Sequence, residues 1–130
     1  MSTEIKVPIS PGELIDKITI LEIKAANISD ATKLANVKVE LQLLQDTWRA
    51  SAHANANIDA EWQQLRDVNK KLWDIEDDIR DKERQRQFDQ QFIELARAVY
   101  ISNDERAAVK KQINTKLGSK IVEEKSYAKY

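Results

Sequence analysis

Apolar residues recur at helical spacing along most of the chain. Leu14, Ile18, Leu21 and Ala25 step by three and four, and Ile15, Ile20 and Ile23 widen that stripe until little polar face remains. Ser10 is placed to cap this first helix, with Pro11 at its first position and Glu13 completing a capping box. Asn27 to Asp30 breaks the pattern, and Ser29 or Asp30 caps a second helix with Leu34, Val37, Leu41, Leu44 and Trp48 on one stripe. From Ala50 to Asn57 no large apolar residue occurs, which predicts a loop. A third helix, capped by Asn57 or Asp59, buries Trp62, Leu65, Val68, Leu72, Ile75 and Ile79. Asp81 to Gln87 is polar without Gly or Pro, so the helix either runs on or bends near Gln85–Asp89. Phe92, Leu95, Ala96 and Val99 continue the apolar face. Ser102 or Asn103 then reads as the end of that segment and the cap of a fifth helix, with Ala107, Ile113 and Leu117 inward and Gly118 as its C′ residue.

The ends are different. Ile5, Val7 and Ile9 alternate with polar residues, and Pro8 limits that segment to an edge strand or an extended arm. The tail after Gly118 keeps Ile121, Val122, Tyr127 and Tyr130, more apolar surface than a solvated tail carries, so it is expected to be ordered. The fold expected over residues 1–130 is a single mainly α domain: an antiparallel bundle of four or five helices with extended N- and C-terminal arms, the arms alternatively pairing as a short two-stranded ribbon. Because one helix cannot cover every apolar face of the first, a homodimer is expected.

Composition removes whole classes of function. There is no Cys and one His, so thiolate catalysis, zinc–cysteine sites and iron–sulfur clusters are excluded, as is a site of paired histidines in one chain. Two Gly in 130 residues leave no phosphate-cradling glycine loop. A net charge of −1 argues against general nucleic-acid binding. No apolar run suits a membrane span and no signal peptide is evident, so the expected setting is the cytoplasm, away from membranes. His53, in the Ala/Asn loop, is given no role.

What chemistry remains is concentrated in the third helix. Trp73, Asp77 and Arg80 share a face by helical spacing, and Asn69, Glu76 and Arg80 lie on an overlapping strip. An aromatic plane, a carboxylate and a guanidinium can hold a sugar or a phosphorylated ligand by stacking and bidentate contact. The plain alternative is an Asp77–Arg80 ion pair beside a packing Trp. Glu76 is expected nearer the core stripe, with a raised pKa if buried. Arg97, Tyr100 and Arg106 with Asp104 form a second group that could converge at a helix junction. The acidic run Asp74, Glu76, Asp77, Asp78 and Asp81, with Asp74/Asp77 set against Glu13/Asp16, has the donors for a divalent-cation site, but the pattern of carboxylate-dependent all-α pyrophosphatases is missing, so neither metal nor cofactor is expected.

Ser10-Pro-Gly-Glu-Leu-Ile-Asp-Lys-Ile-Thr-Ile-Leu-Glu-Ile-Lys24, Val68-Asn69 with Leu72-Trp-Asp-Ile-Glu-Asp77 and Ile79-Arg80, Asn103-Asp104 with Arg106, and Val122-Glu-Glu-Lys-Ser-Tyr127 together resemble an uncharacterised family of small helical proteins from bacteria and marine phages, including cyanophages. The resemblance runs from Val7 to Tyr127. It implies no activity; the neighbourhood of such genes to sugar-handling genes implies a link to glycan metabolism. Two readings follow: a small helical binding or assembly module acting as a homodimer on a protein partner, or a small carboxylate- and Arg-based enzyme or binder for a phosphorylated sugar or nucleotide.

Overall fold

A computed structural model describes residues 3–130. They form four helices: α1 (Pro11–Asn27), α2 (Ala31–Arg49), α3 (Asp59–Arg84) and α4 (Gln90–Lys116). The described residues contain no strand, so neither the fifth helix nor the two-stranded ribbon is present. No helix among them is long and apolar enough to cross a membrane.

The starts of α1 and α2 follow their caps. Ser10 Oγ accepts from the Glu13 amide at 3.2 Å, and the Asp30 carboxylate accepts from the Lys33 amide at 3.2 Å. The start of α3 differs: Ile58 occupies the N-cap position with no side-chain cap bond, because its side chain, 2% exposed, belongs to the core. The α3–α4 boundary falls at Gln85–Asp89. There α3 ends in a left-handed residue, Arg86 (φ 54°), with the Gln87 amide donating to the Lys82 carbonyl and the Arg86 amide to that of Glu83. Asp89 then caps α4, accepting from the Phe92 amide at 3.0 Å. Contrary to expectation, α4 runs unbroken through Ser102–Asp104. Ser102 is fully buried, Asn103 accepts from Arg106 one turn on, and no Gly or Pro interrupts the backbone ladder. The second left-handed residue is Gly118 (φ 67°), which ends α4 as expected.

α1 is the centre of the molecule. It packs against α2 on one side and against α3 and α4 on the other, while α3 and α4 pack together as a hairpin. Leu14, Ile15, Ile18, Leu21 and Ile23 are therefore all buried within one chain. That removes the reason for expecting a second chain on α1: three helices cover it, not one. α2 packs along α1 alone, except where Trp48 meets Trp62 edge-on, ring centroids 5.5 Å apart. Ile15, Ile58, Leu65, Val68 and Ile113 form the core under those rings.

The arms have no regular structure. Ile5 and Val7 are exposed, and so are Ile121, Val122, Tyr127 and Tyr130. The tail is nonetheless held, but by charges and not by buried apolar anchors: Glu123 pairs with Lys110 at 2.8 Å and Lys125 with Asp104 at 2.6 Å.

Candidate functional site

The apolar character of α1 has a local consequence. A polar side chain on its inward surface has no route to water and must find its partners inside. Asp16, 1% exposed, is such a residue. Arg106 of α4 donates to it from Nε at 2.8 Å and from Nη2, a two-pronged pair, while Arg106 Nη1 reaches Asn103 Oδ1 at 3.4 Å. From α3, Asn69 Nδ2 donates to Asp16 Oδ1 at 2.9 Å and to Thr19 Oγ1 at 3.0 Å, and the Thr19 hydroxyl donates to the Asp16 carbonyl at 2.9 Å. Burial works to raise the Asp16 pKa, but the hydrogen bonds from Arg106 and Asn69 and the positive charge outweigh it. The carboxyl lies below its ordinary range and Arg106 above its own. Three helices are thus tied at one carboxylate that stays ionised.

A turn away along α1, the same two helices meet again. Gly12 donates its amide to Asn114 Oδ1 at 2.7 Å, and a Cβ at Gly12 would stand 2.6 Å from the Lys110 carbonyl. Glycine is required there by the closeness of α4. Lys110 Nζ donates to Glu13 at 2.6 Å as well as pairing with Glu123. Burial works to raise the Glu13 pKa; contact with Lys110 overrides it and holds the carboxyl low.

Above the Asp16–Arg106 pair lies an open cleft of about 450 Å³. Ile20 and Ile23 of α1, Leu72 and Trp73 of α3, and Asn103 and Arg106 of α4 wall it, with Asn69 at its floor and Glu76, Asp77 and Arg80 on its rim. Of the residues singled out from sequence, the structure gathers Asn69, Trp73, Glu76, Asp77, Arg80 and Arg106 here. Arg97 lines neither this cleft nor the other cavity described below, and Tyr100 faces the C-terminal tail, its ring 4.9 Å from that of Tyr130. Two details differ from expectation. Arg80 pairs with Glu76, one turn back along α3, at 3.0 Å and not with Asp77. Glu76 is exposed and not inward. Asp77 has no ion-pair or hydrogen-bond partner among the described residues.

Of the four carboxylates set against one another as a cation site, three face a cation of their own: Asp16 faces Arg106, Glu13 faces Lys110, and Asp74 faces Lys70 at 2.9 Å. Among the described residues no three His, Asp or Glu side chains are gathered as metal ligands. Thr19 and Lys110 were not read from sequence as site residues, and Asp16 only as half of a cation-binding pair, although a signal existed. Asp16 and Thr19 are spaced i,i+3 on a helix apolar on nearly every side, so at least one had to point inward.

Residues 5–130 match a protein family described as a family of unknown function, DUF6165. No curated protein and no solved structure matches the chain.

Proposed function

The chain belongs to DUF6165, a family whose description assigns no activity, and from the cleft alone we propose that it is a small helical binding module whose ligand sits against Trp73. One observation carries this reading. The cleft is open, but its strongest charges are already spent: Arg106 on Asp16 and Arg80 on Glu76. The carboxyl buried beneath the cleft, Asp16, is held low and ionised by Arg106 and Asn69. A catalytic acid or base would need the opposite.

What the cleft offers is an apolar wall of Ile20, Leu72 and the Trp73 ring, with acceptors at Asp77 and Asn103. That suits a group with one flat apolar face and a hydroxyl-bearing edge, of the size of a sugar ring or a nucleobase. The group is taken free in solution or presented by a partner protein. The second reading, an enzyme or binder for a phosphorylated sugar or nucleotide, is favoured only by the exposure of Arg80, whose side chain is 78% accessible and could exchange Glu76 for a phosphate.

Calorimetric titration with monosaccharides, nucleosides and their phosphate esters separates the two. The binding module is expected to bind unphosphorylated members, to lose them in Trp73→Ala and to keep them in Arg80→Ala. Tighter binding of the esters, lost in Arg80→Ala, or turnover of any ester, selects the second reading. No binding by any member at millimolar concentration sinks the reading of the cleft as a small-ligand site.

A further inference from the structure

The tail after Gly118 turns back and runs antiparallel along α4. Its anchors fall in order: Glu123 on Lys110, Lys125 on Asp104, then Tyr130, whose hydroxyl donates to Asp104 at 2.7 Å while its ring meets Tyr100. Every residue from 120 to 130 is exposed, so these contacts are made with little burial. The tail also does not fill the space it spans. A cavity of about 1,360 Å³ lies between it and α4, lined by Tyr100, Asn103, Arg106 and Lys110 among others. The reach explains the slack. From Tyr100 to Gly118 a helix rises about 27 Å, whereas the twelve residues of the tail can extend to about 40 Å.

A segment held by a row of polar contacts, joined through one glycine and longer than its track, has the makings of an exchangeable arm. Two residues at its root point the same way. Ile121 and Val122 are exposed and touch no core in the single chain. With Gly118 straightened, the α4 helices of two chains would meet end to end. Each tail would then continue onto the other chain's α4 in the direction it already runs, and Ile121 and Val122 would face their own counterparts across the twofold axis.

We propose that the Tyr100–Asp104–Lys110 face of α4 is a docking groove for this tail, filled within one chain by its own residues 123–130 and filled reciprocally, in a dimer, by the tail of a second copy. The intramolecular tail competes at a high effective concentration, so it holds the single chain closed until that latch is weakened or the protein is concentrated. A dimer of this kind needs no apolar face on α1.

Two full-length variants test it, Asp104→Lys and Lys125→Asp. Both side chains are partly exposed, and each change sets like charges against each other in the chain's own latch. In a mixture, the native tail of the first variant fits the native groove of the second, and the reversed tail of the second fits the reversed groove of the first. Size-exclusion chromatography with light scattering at tens of micromolar should show each variant alone as a monomer and the mixture as a dimer. The double variant Asp104→Lys/Lys125→Asp should be monomeric again, its latch closed within the chain. Thermal melts confirm that each is folded before mixing. If Asp104→Lys does not fold, Tyr100→Lys/Asp104→Asn takes its place in the mixture, since it puts the reversed charge at an exposed position one turn away on the same face of α4, where it repels Lys125 and accepts the carboxylate that Lys125→Asp introduces in the second variant. A mixture of folded variants that stays monomeric overturns the proposal, as does a dimer formed equally well by either variant alone.

Discussion

Arg80 and Arg106 carry the same guanidinium to the same cleft and do opposite work. Arg80 sits in water beside Glu76, and such a surface pair contributes little because solvent screens it. Arg80→Ala should change stability by less than about 0.5 kcal/mol. Arg106 neutralises a carboxylate that is 1% exposed. Arg106→Ala would leave Asp16 buried with only Asn69 as a side-chain partner, so a loss of about 3 kcal/mol is expected, the low end of the range for broken buried pairs because Arg106 itself is partly open. Urea denaturation of the two variants checks both; equal losses would show that the burial assigned to Asp16 is wrong. The contrast also marks what the chain disclosed before its fold was known. Trp73, Asp77 and Arg80 share a face because helical geometry alone puts them there. The Asp16–Arg106 pair joins residues 90 apart in sequence, and no local spacing encodes it.

Helix beginnings were legible at Ser10 and Asp30, where a side-chain cap follows a clear break in the apolar pattern, and illegible at Asp89, where no such break precedes the cap, and at Ile58, where tertiary packing decided. Ser102, Asn103 and Asp104 have the composition of a helix start, yet their side chains are engaged by burial, by Arg106 and by the tail, so α4 passes through them. The α3–α4 turn was hard to place for another reason: an arginine occupies a position that suits glycine. Both α3 and α4 end on a left-handed residue, Arg86 in one and Gly118 in the other. A side chain in that conformation costs about 1–2 kcal/mol, offset in Arg86→Gly by about 0.5–1 kcal/mol for the freer unfolded chain. Arg86→Gly should therefore stabilise the protein by about 0.5–1 kcal/mol, and Gly118→Ala, where open space removes any packing gain, should destabilise it by a similar amount. Melting temperatures moving in opposite directions would bear this out; a fall in both would mean that the Arg86 side chain does more than end the helix.

Taken whole, the molecule is an α1 shaft to which α3 is tied by Arg66 on Glu22 and α4 is bolted by two further charge pairs. Both bolts are carboxylates of α1 on cations of α4: Asp16 on Arg106 and Glu13 on Lys110. Both carboxyls are held below their ordinary values in the fold. Groups of that kind stabilise the native state fully above their unfolded pKa, about 4, and the contribution is lost as pH falls through the lower folded value. Unfolding free energy measured in urea should thus be steady from pH 7 to about 5 and decline below about 4. Asp16→Asn should be less stable at pH 7 but show a shallower decline. An unchanged slope in that variant would assign the acid sensitivity to other carboxyls. The mainly helical class and the apolar shaft were visible in the hydrophobic pattern. That three helices of the same chain would surround the shaft was not, since a one-dimensional stripe says how much surface must be covered and nothing of what covers it.

The lopsided position of α2 has a kinetic meaning. It leans on α1 along one side only, and only Trp48 reaches beyond it. The helix is therefore the cheapest of the four to release, and its departure disturbs neither the Asp16 pair nor the walls of the cleft. Local opening is then expected to give a half-open form in which α2 has swung away, the outer surface of α1 is bare and the cleft is still assembled. Proteases and chaperones would meet the protein in that form at the α1–α2 hinge from Ile28 to Asp30, while the cleft on the far side of the shaft persists.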